Sequence, residues 1–197
     1  MSSIAAVGQR DLLVSRMSAI KIVLIWMGVT LLAFPLGGYL GWGIGGHVDA
    51  IGSSLIVGAI TGAGIGLAQW LFLKRDLGIG PIWIFATSAA LTAGLGIGAA
   101  VVDYETNVSS LMIMGAISGA AIGVAQGFLL RDRFSLWLAW MVAMPPLFVL
   151  GWFVTNSAGI DVDNQFPVFG ASGCIVFGLL SGILLAVGKR AENRTAV

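Results

Sequence analysis

The sequence is short of charge. Asp, Glu, Lys and Arg make up 10% of its 197 residues, against roughly 25% in soluble domains. None of them falls deep inside a long apolar run. Ion-coupled transporters and proton pumps generally need an ionisable group at that depth. Their class is therefore disfavoured, although backbone carbonyls alone can still bind sodium. Cysteine is nearly absent. Cys174 stands alone, which excludes an intrachain disulfide and leaves no cysteine cluster for zinc or iron–sulfur. Histidine is equally scarce. His47 is the only one, so no multi-histidine metal or haem-pair site exists within the chain. No Ser–His–Asp set is visible either, because that single base sits in a loop. His47 itself reads as a solvated loop residue. No catalytic residue, metal, cofactor or nucleic-acid partner is expected.

What is present is hydrophobic. The apolar fraction is 58%, with 29 glycines. Six apolar runs appear, at about 21–43, 51–73, 81–102, 110–130, 135–155 and 167–188. Each is long enough to cross roughly 30 Å of hydrocarbon as a helix. The fold class is therefore all-α, a polytopic membrane protein in a lipid bilayer with six transmembrane helices. Pro35 and the pair Pro145-Pro146 predict kinks in the first and fifth spans. Pro81 and Pro167 stand at first turns, where a missing N–H does no harm. Residues 1–19 read as a cytoplasmic N-terminal segment, with Leu12, Leu13 and Met17 able to face lipid as a short surface helix. The first span reads as uncleaved. Residues 20–188 form the membrane domain, and 189–197 a cytoplasmic tail.

Charge segregates by loop. Arg10, Arg16, Lys21, Lys74, Arg75, Arg131, Arg133, Lys189, Arg190 and Arg194 all fall on one side of the six-span layout. The other side holds His47 with Asp49, Asp103, Glu105, Asp161 and Asp163. With four acids on the basic side, the balance is 10 − 4 = +6 against −5, which sums to the net +1. The positive-inside rule places both termini in the cytoplasm.

One stretch recurs. Residues 58–74 read GAITGAGIGLAQWLFLK, and residues 115–131 read GAISGAAIGVAQGFLLR, a spacing of 57. Gly58, Gly62 and Gly66 recur every four residues, as do Gly115, Gly119 and Gly123. Such spacing draws one stripe along a helix. In water, each glycine would cost a helix about 1 kcal/mol. In lipid, small residues let two backbones approach closely. Trp26, Trp83 and Trp140 share the spacing of 57, and so do Gly37, Gly94 and Gly151. A third copy carries Gly170, Cys174, Gly178 and Gly182, offset by 116 from the first. The prediction is three tandem helical hairpins, 20–75, 76–133 and 134–190, related by a pseudo-threefold axis along the membrane normal. The even-numbered spans, which carry the stripes, are expected near that axis.

Each of the first two stripes ends in a glutamine, Gln69 or Gln126, while the third copy has Leu185. A side-chain amide facing hydrocarbon alone would be costly. Two readings stay open: a clasp between helices, or the polar lining of a solute path. The tryptophans fit an aromatic belt at the cytoplasmic face or packing against the repeated glycines. Asp161, Asp163, Asn164 and Gln165 are oxygen ligands of the kind calcium uses, but the stretch lacks the length and turn glycine of an EF-hand, and charge asymmetry already explains acids there. Gly62, Gly64 and Gly66 lie mid-span with no preceding strand, so they are no nucleotide fingerprint.

The pattern GAxxGAxxGxAQ, followed by apolar residues and a basic one, resembles that of uncharacterised multi-pass bacterial membrane proteins. Gly151-Trp152 and the run Phe169-Gly170-Ala171-Ser172-Gly173 add to the likeness. The resemblance covers most of residues 26–188. It implies a bacterial inner-membrane location and carries no activity. The expected function is non-enzymatic: a structural or accessory membrane protein, joined to itself as a homo-oligomer or to other membrane subunits. A facilitator for a small neutral solute is the alternative.

Overall fold

The computed structural model describes residues 18–160 and 168–195. Among these are six helices and no strand. They are α1 (Ala19–Gly45), α2 (Ile51–Asp76), α3 (Ile82–Val101), α4 (Val108–Leu130), α5 (Trp137–Ser157) and α6 (Ala171–Thr195). All six are long and apolar enough to span a membrane. The suggested surface helix with Leu12, Leu13 and Met17, and the acidic run from Asp161 to Gln165, lie outside the described residues. α6 begins four residues later than the apolar run suggested and continues through Thr195, into the stretch read as a tail.

Local chemistry sets the helix ends. Ser18 caps α1 by accepting the Lys21 N–H at 3.4 Å. Asn107 Oδ1 caps α4 by accepting the Ser110 N–H at 3.0 Å, a common role for a short polar side chain. α1 stops at Gly46, whose φ of 79° is a left-handed conformation that glycine adopts without strain. After α3 the chain reverses tightly through Asp103 and Tyr104, both left-handed at φ 52° and 60°. Non-glycine residues hold such angles at a cost of about 1–3 kcal/mol each. α1 and α5 both run on through their prolines.

Each helix packs on its neighbours in sequence, and α6 packs on α1. The result is a closed ring. Adjacent helices are antiparallel: along α1, Gly37 faces Thr61 of α2, and Gly45, further on, faces Val57. Every helix uses both flanks, so the contacts do not divide the ring into separate hairpins.

The small residues lie in the seams between neighbours. The even-numbered helices do not pack backbone to backbone on one another, as they would if they alone surrounded the axis, although side chains of α2 and α4 do meet. An added Cβ at Gly58 would meet Thr92 Cα at 2.8 Å, and one at Gly62 would meet Ser88 Cα at 2.7 Å. One at Gly66 would meet Ile84 Cα at 2.9 Å. Gly115, Gly119 and Gly123 of α4 face Phe148, Met144 and Met141 of α5 in the same way, and Gly178 and Gly182 face Met27 and Val23 of α1. The physical reason is geometric. Glycine serves where backbones touch, and those lines lie between adjacent helices. The middle of a six-helix ring is wide and takes large side chains instead. Trp26, Trp83, Trp140, Phe34, Phe148, Phe169 and Phe177 are all buried.

The outside is as apolar as the inside. Leu32, Phe85 and Val142 are more than 60% exposed. Helices that are hydrophobic all round suit a membrane. The alternating direction gathers Lys21, Lys74, Arg75, Arg131, Arg133 and Lys189 at one end of the ring, and Asp49, Asp103 and Glu105 at the other.

Two glycines separate packing from propensity. Gly62→Ala drives a methyl into the α3 backbone and is expected to cost about 1–3 kcal/mol. Gly28 has nothing within 4 Å of its added Cβ, so Gly28→Ala is expected to be neutral or stabilising by up to about 1 kcal/mol. Unfolding midpoints in detergent decide it; equal effects would sink the backbone-contact argument.

Candidate functional site

The two buried glutamines meet Trp83, Trp140 and Thr87 in one cluster near the basic end. Trp26 lies at the start of the third turn of α1, and Trp83 and Trp140 lie about the first turns of α3 and α5. Their exposures are 0%, 0% and 1%, so they are core residues and not an interfacial belt. An indole N–H is a donor only and needs an oxygen when buried. Trp83 Nε1 donates to Gln69 Oε1 at 3.1 Å. Trp140 Nε1 donates to Gln126 Oε1 at 3.1 Å. The separation in sequence is 14 residues in both pairs.

Those two bonds orient both amides. With each Oε1 held by an indole, the amides can meet only by one NH2 donating to the other's oxygen. Gln126 Nε2 does so, reaching Gln69 Oε1 at 2.9 Å and Thr87 Oγ1 at 3.0 Å. Gln69 and Gln126 are 2% and 1% exposed. Four elements, α2 to α5, are thereby joined through neutral groups alone.

The third position is built differently. Leu185 is buried where a glutamine would recur. Trp26 Nε1 turns instead to Ser181 Oγ at 2.9 Å, and Ser181 donates onward to Phe177 O at 2.6 Å. Ser181 sits one helical turn before Leu185, at the position that holds Ile65 and Ile122 in the other copies. The indole keeps a partner although the amide is gone. On this side the core is aromatic: Phe34 stacks on Phe169 with ring centres 5.0 Å apart, and Phe148 meets Phe177 edge-on at 5.2 Å.

Most of the remaining polar groups in the spans bond to backbone oxygens. Thr61 donates to Gly37 O across the α1–α2 seam at 3.2 Å, and Ser88 to Ala59 O across α2–α3 at 2.8 Å. Thr30 and Thr92 donate within their own helices. Gly170 lies just before α6, where its N–H donates to Thr155 Oγ1 at 3.0 Å. Beneath the cluster, toward the basic end, Leu73, Leu130 and Phe134 are buried. Phe134 stands edge-on to Trp140 at 6.3 Å and is wedged against Gly188. Above it lie Ile65, Ile122 and Leu91, also buried.

Among the sequence-derived candidates, Gln69 and Gln126 come together. The stripe glycines do not join them; they hold the seams. His47 stays in an exposed loop, edge-on to Trp42 at 5.8 Å. Sequence reasoning misses Trp83, Trp140 and Thr87 as partners of the glutamines and Ser181 as the partner of Trp26. The repeated offset of 14 residues between glutamine and tryptophan was the available signal. The assembled groups are uncharged and hydrogen-bonded, without a nucleophile–base pair. Their chemistry is recognition of one helix by the next.

Gln126→Leu strands the Trp140 N–H and is expected to destabilise the fold by about 1–3 kcal/mol. Combined with Gln69→Leu, the loss should fall short of the sum of the singles, because the two amides share a bond. Strict additivity in detergent unfolding would refute the coupling. No protein-family model matches the chain, and no curated protein or solved structure matches it.

Proposed function

We propose that this integral membrane protein is non-enzymatic and serves as a structural or accessory subunit, associated with copies of itself or with other membrane subunits. The observation that carries the reading is the interior. Its amides and indoles bind one another at 1–2% exposure or less, so the ring offers its chemistry outward, to lipid and to neighbouring proteins. The stripes at Gly58–Gly66 and Gly115–Gly123 are occupied within the chain. A partner would therefore use the outer surface. A groove between α2 and α3 on that surface, about 510 Å³, has Ala93, Gly96 and Ala100 in its lining beside larger aliphatic residues. Small residues favour helix-on-helix contact in lipid.

The proposed location is the bacterial inner membrane, with the basic end cytoplasmic. The charge distribution supports this through the positive-inside rule. Cys174 is buried, so it leaves a clean background for thiol labelling. A cysteine replacing Asp49 should react with an impermeant maleimide from outside intact cells, and one replacing Arg131 only after lysis. The reverse pattern would overturn the orientation.

The particle extracted gently from native membranes tests the accessory role. Fixed-ratio co-purification of other subunits, or a defined homo-oligomer, is expected. A lone monomer without crosslinked neighbours in native membranes would falsify the proposal. The competing facilitator requires Gln69→Leu to abolish solute flux while the ring stays folded. The buried clasp supports the opposite outcome: stability falls and flux in reconstituted vesicles is unchanged.

A further inference from the structure

The seam between α6 and α1 is the one seam that no interhelix loop crosses at either end. Gly178 and Gly182 bring α6 against Met27 and Val23 of α1. Toward the basic end, the small side chains of Ala19 and Ala186 leave an open groove on the lipid side, about 310 Å³ in volume. Its walls are Ile20, Val23 and Leu24 from α1, and Leu179, Ile183 and Val187 from α6. Among the described residues, no charged side chain lines it. Lys21, exposed in the first turn of α1, is the next residue after Ile20 of the groove wall and belongs to the same basic end. Asp132, at this end, lies on the loop after α4 and pairs with Arg131 at 3.3 Å.

We infer that this groove holds one anionic phospholipid, with an acyl chain between α1 and α6 and its phosphate at Lys21. The argument separates two contributions. Within a bilayer, an apolar groove alone gives no preference for one lipid over another, because lipid tails are as apolar as leucine. It supplies shape and residence. Selectivity must come from the headgroup, and a lysine placed at headgroup level attracts an anionic lipid while its methylene stem lies along apolar surface. The occupant follows from the pairing of the two features: a negatively charged headgroup attached to a hydrocarbon chain.

The test uses the full-length protein in mild detergent, with phosphatidylglycerol and phosphatidylcholine of identical acyl chains. Bound lipid is counted by native mass spectrometry. One phosphatidylglycerol should be retained in preference to phosphatidylcholine. Lys21→Gln should weaken phosphatidylglycerol retention about fivefold, the effect of one surface lysine, and leave phosphatidylcholine unchanged. Arg75→Gln, an exposed cation at the end of α2, should change neither. Ile183→Trp should block the groove and reduce phosphatidylglycerol retention; Leu24→Trp does so from the other wall and serves if the first variant unfolds. Four results would each overturn the inference: equal retention of both lipids, equal losses from Lys21→Gln and Arg75→Gln, full retention with the groove filled, or equal binding of glycerol phosphate without acyl chains.

Discussion

Backbone-to-backbone contact between neighbouring helices is the constraint on which the rest depends. At Gly37, Gly58, Gly62, Gly119 and Gly123, the space a side chain would need is held by a carbonyl oxygen of the next helix, at 2.7–3.0 Å from the ideal Cβ. Such closeness gives dispersion contact and Cα–H···O interactions along the whole seam. One case is instructive. Pro145 has no N–H, so Met141 O lacks its usual helical partner four residues on. Gly123 of α4 presses against that same carbonyl. The proline and the glycine are two halves of one contact.

Once six seams are closed in this way, the width of the interior is fixed, and its contents follow. Trp26, Trp83 and Trp140 near the basic end, with Trp152 and a group of phenylalanines, fill it. The first three indoles bring N–H groups that cannot be left bare in a low-dielectric core. Gln69, Gln126 and Ser181 answer them. Interhelical hydrogen bonds in lipid average only about 0.6 kcal/mol, so the cluster adds less to gross stability than the seams do. Its larger effect is on register. Sliding α3 by one turn against α2 would leave the Trp83 indole unpartnered and take one of two donors from Gln69 Oε1.

Much of the fold could be read from the residues. Continuous apolar runs bounded by charged loops locate the six helices, because lipid requires each segment to satisfy its own backbone. The contacts of the glycines could not be read in the same way. A stripe says that a backbone comes close; it does not say which one. The stripes of α2, α4 and α6 face the next helix round the ring instead of the axis. The glutamines were visible as polar groups needing partners. Their pairing with tryptophans on the following helix depends on a seam geometry that periodicity does not encode. Leu185 looked like a broken repeat. Ser181 shows the function of the position moved by one turn, a compensation no local pattern reveals.

The unlinked α6–α1 seam also sets an order of events in biosynthesis. Met27 and Thr30 of α1 face Gly178, which lies 178 − 30 = 148 residues after Thr30 in the chain. At roughly 5–20 residues per second, about 7–30 s separate their synthesis. Throughout that interval Trp26 is without its serine, and the flank of α1 that will meet α6 has only lipid or another protein against it. The ring is therefore an open arc while it is being made. Its first helix must be kept from foreign partners until its last helix arrives.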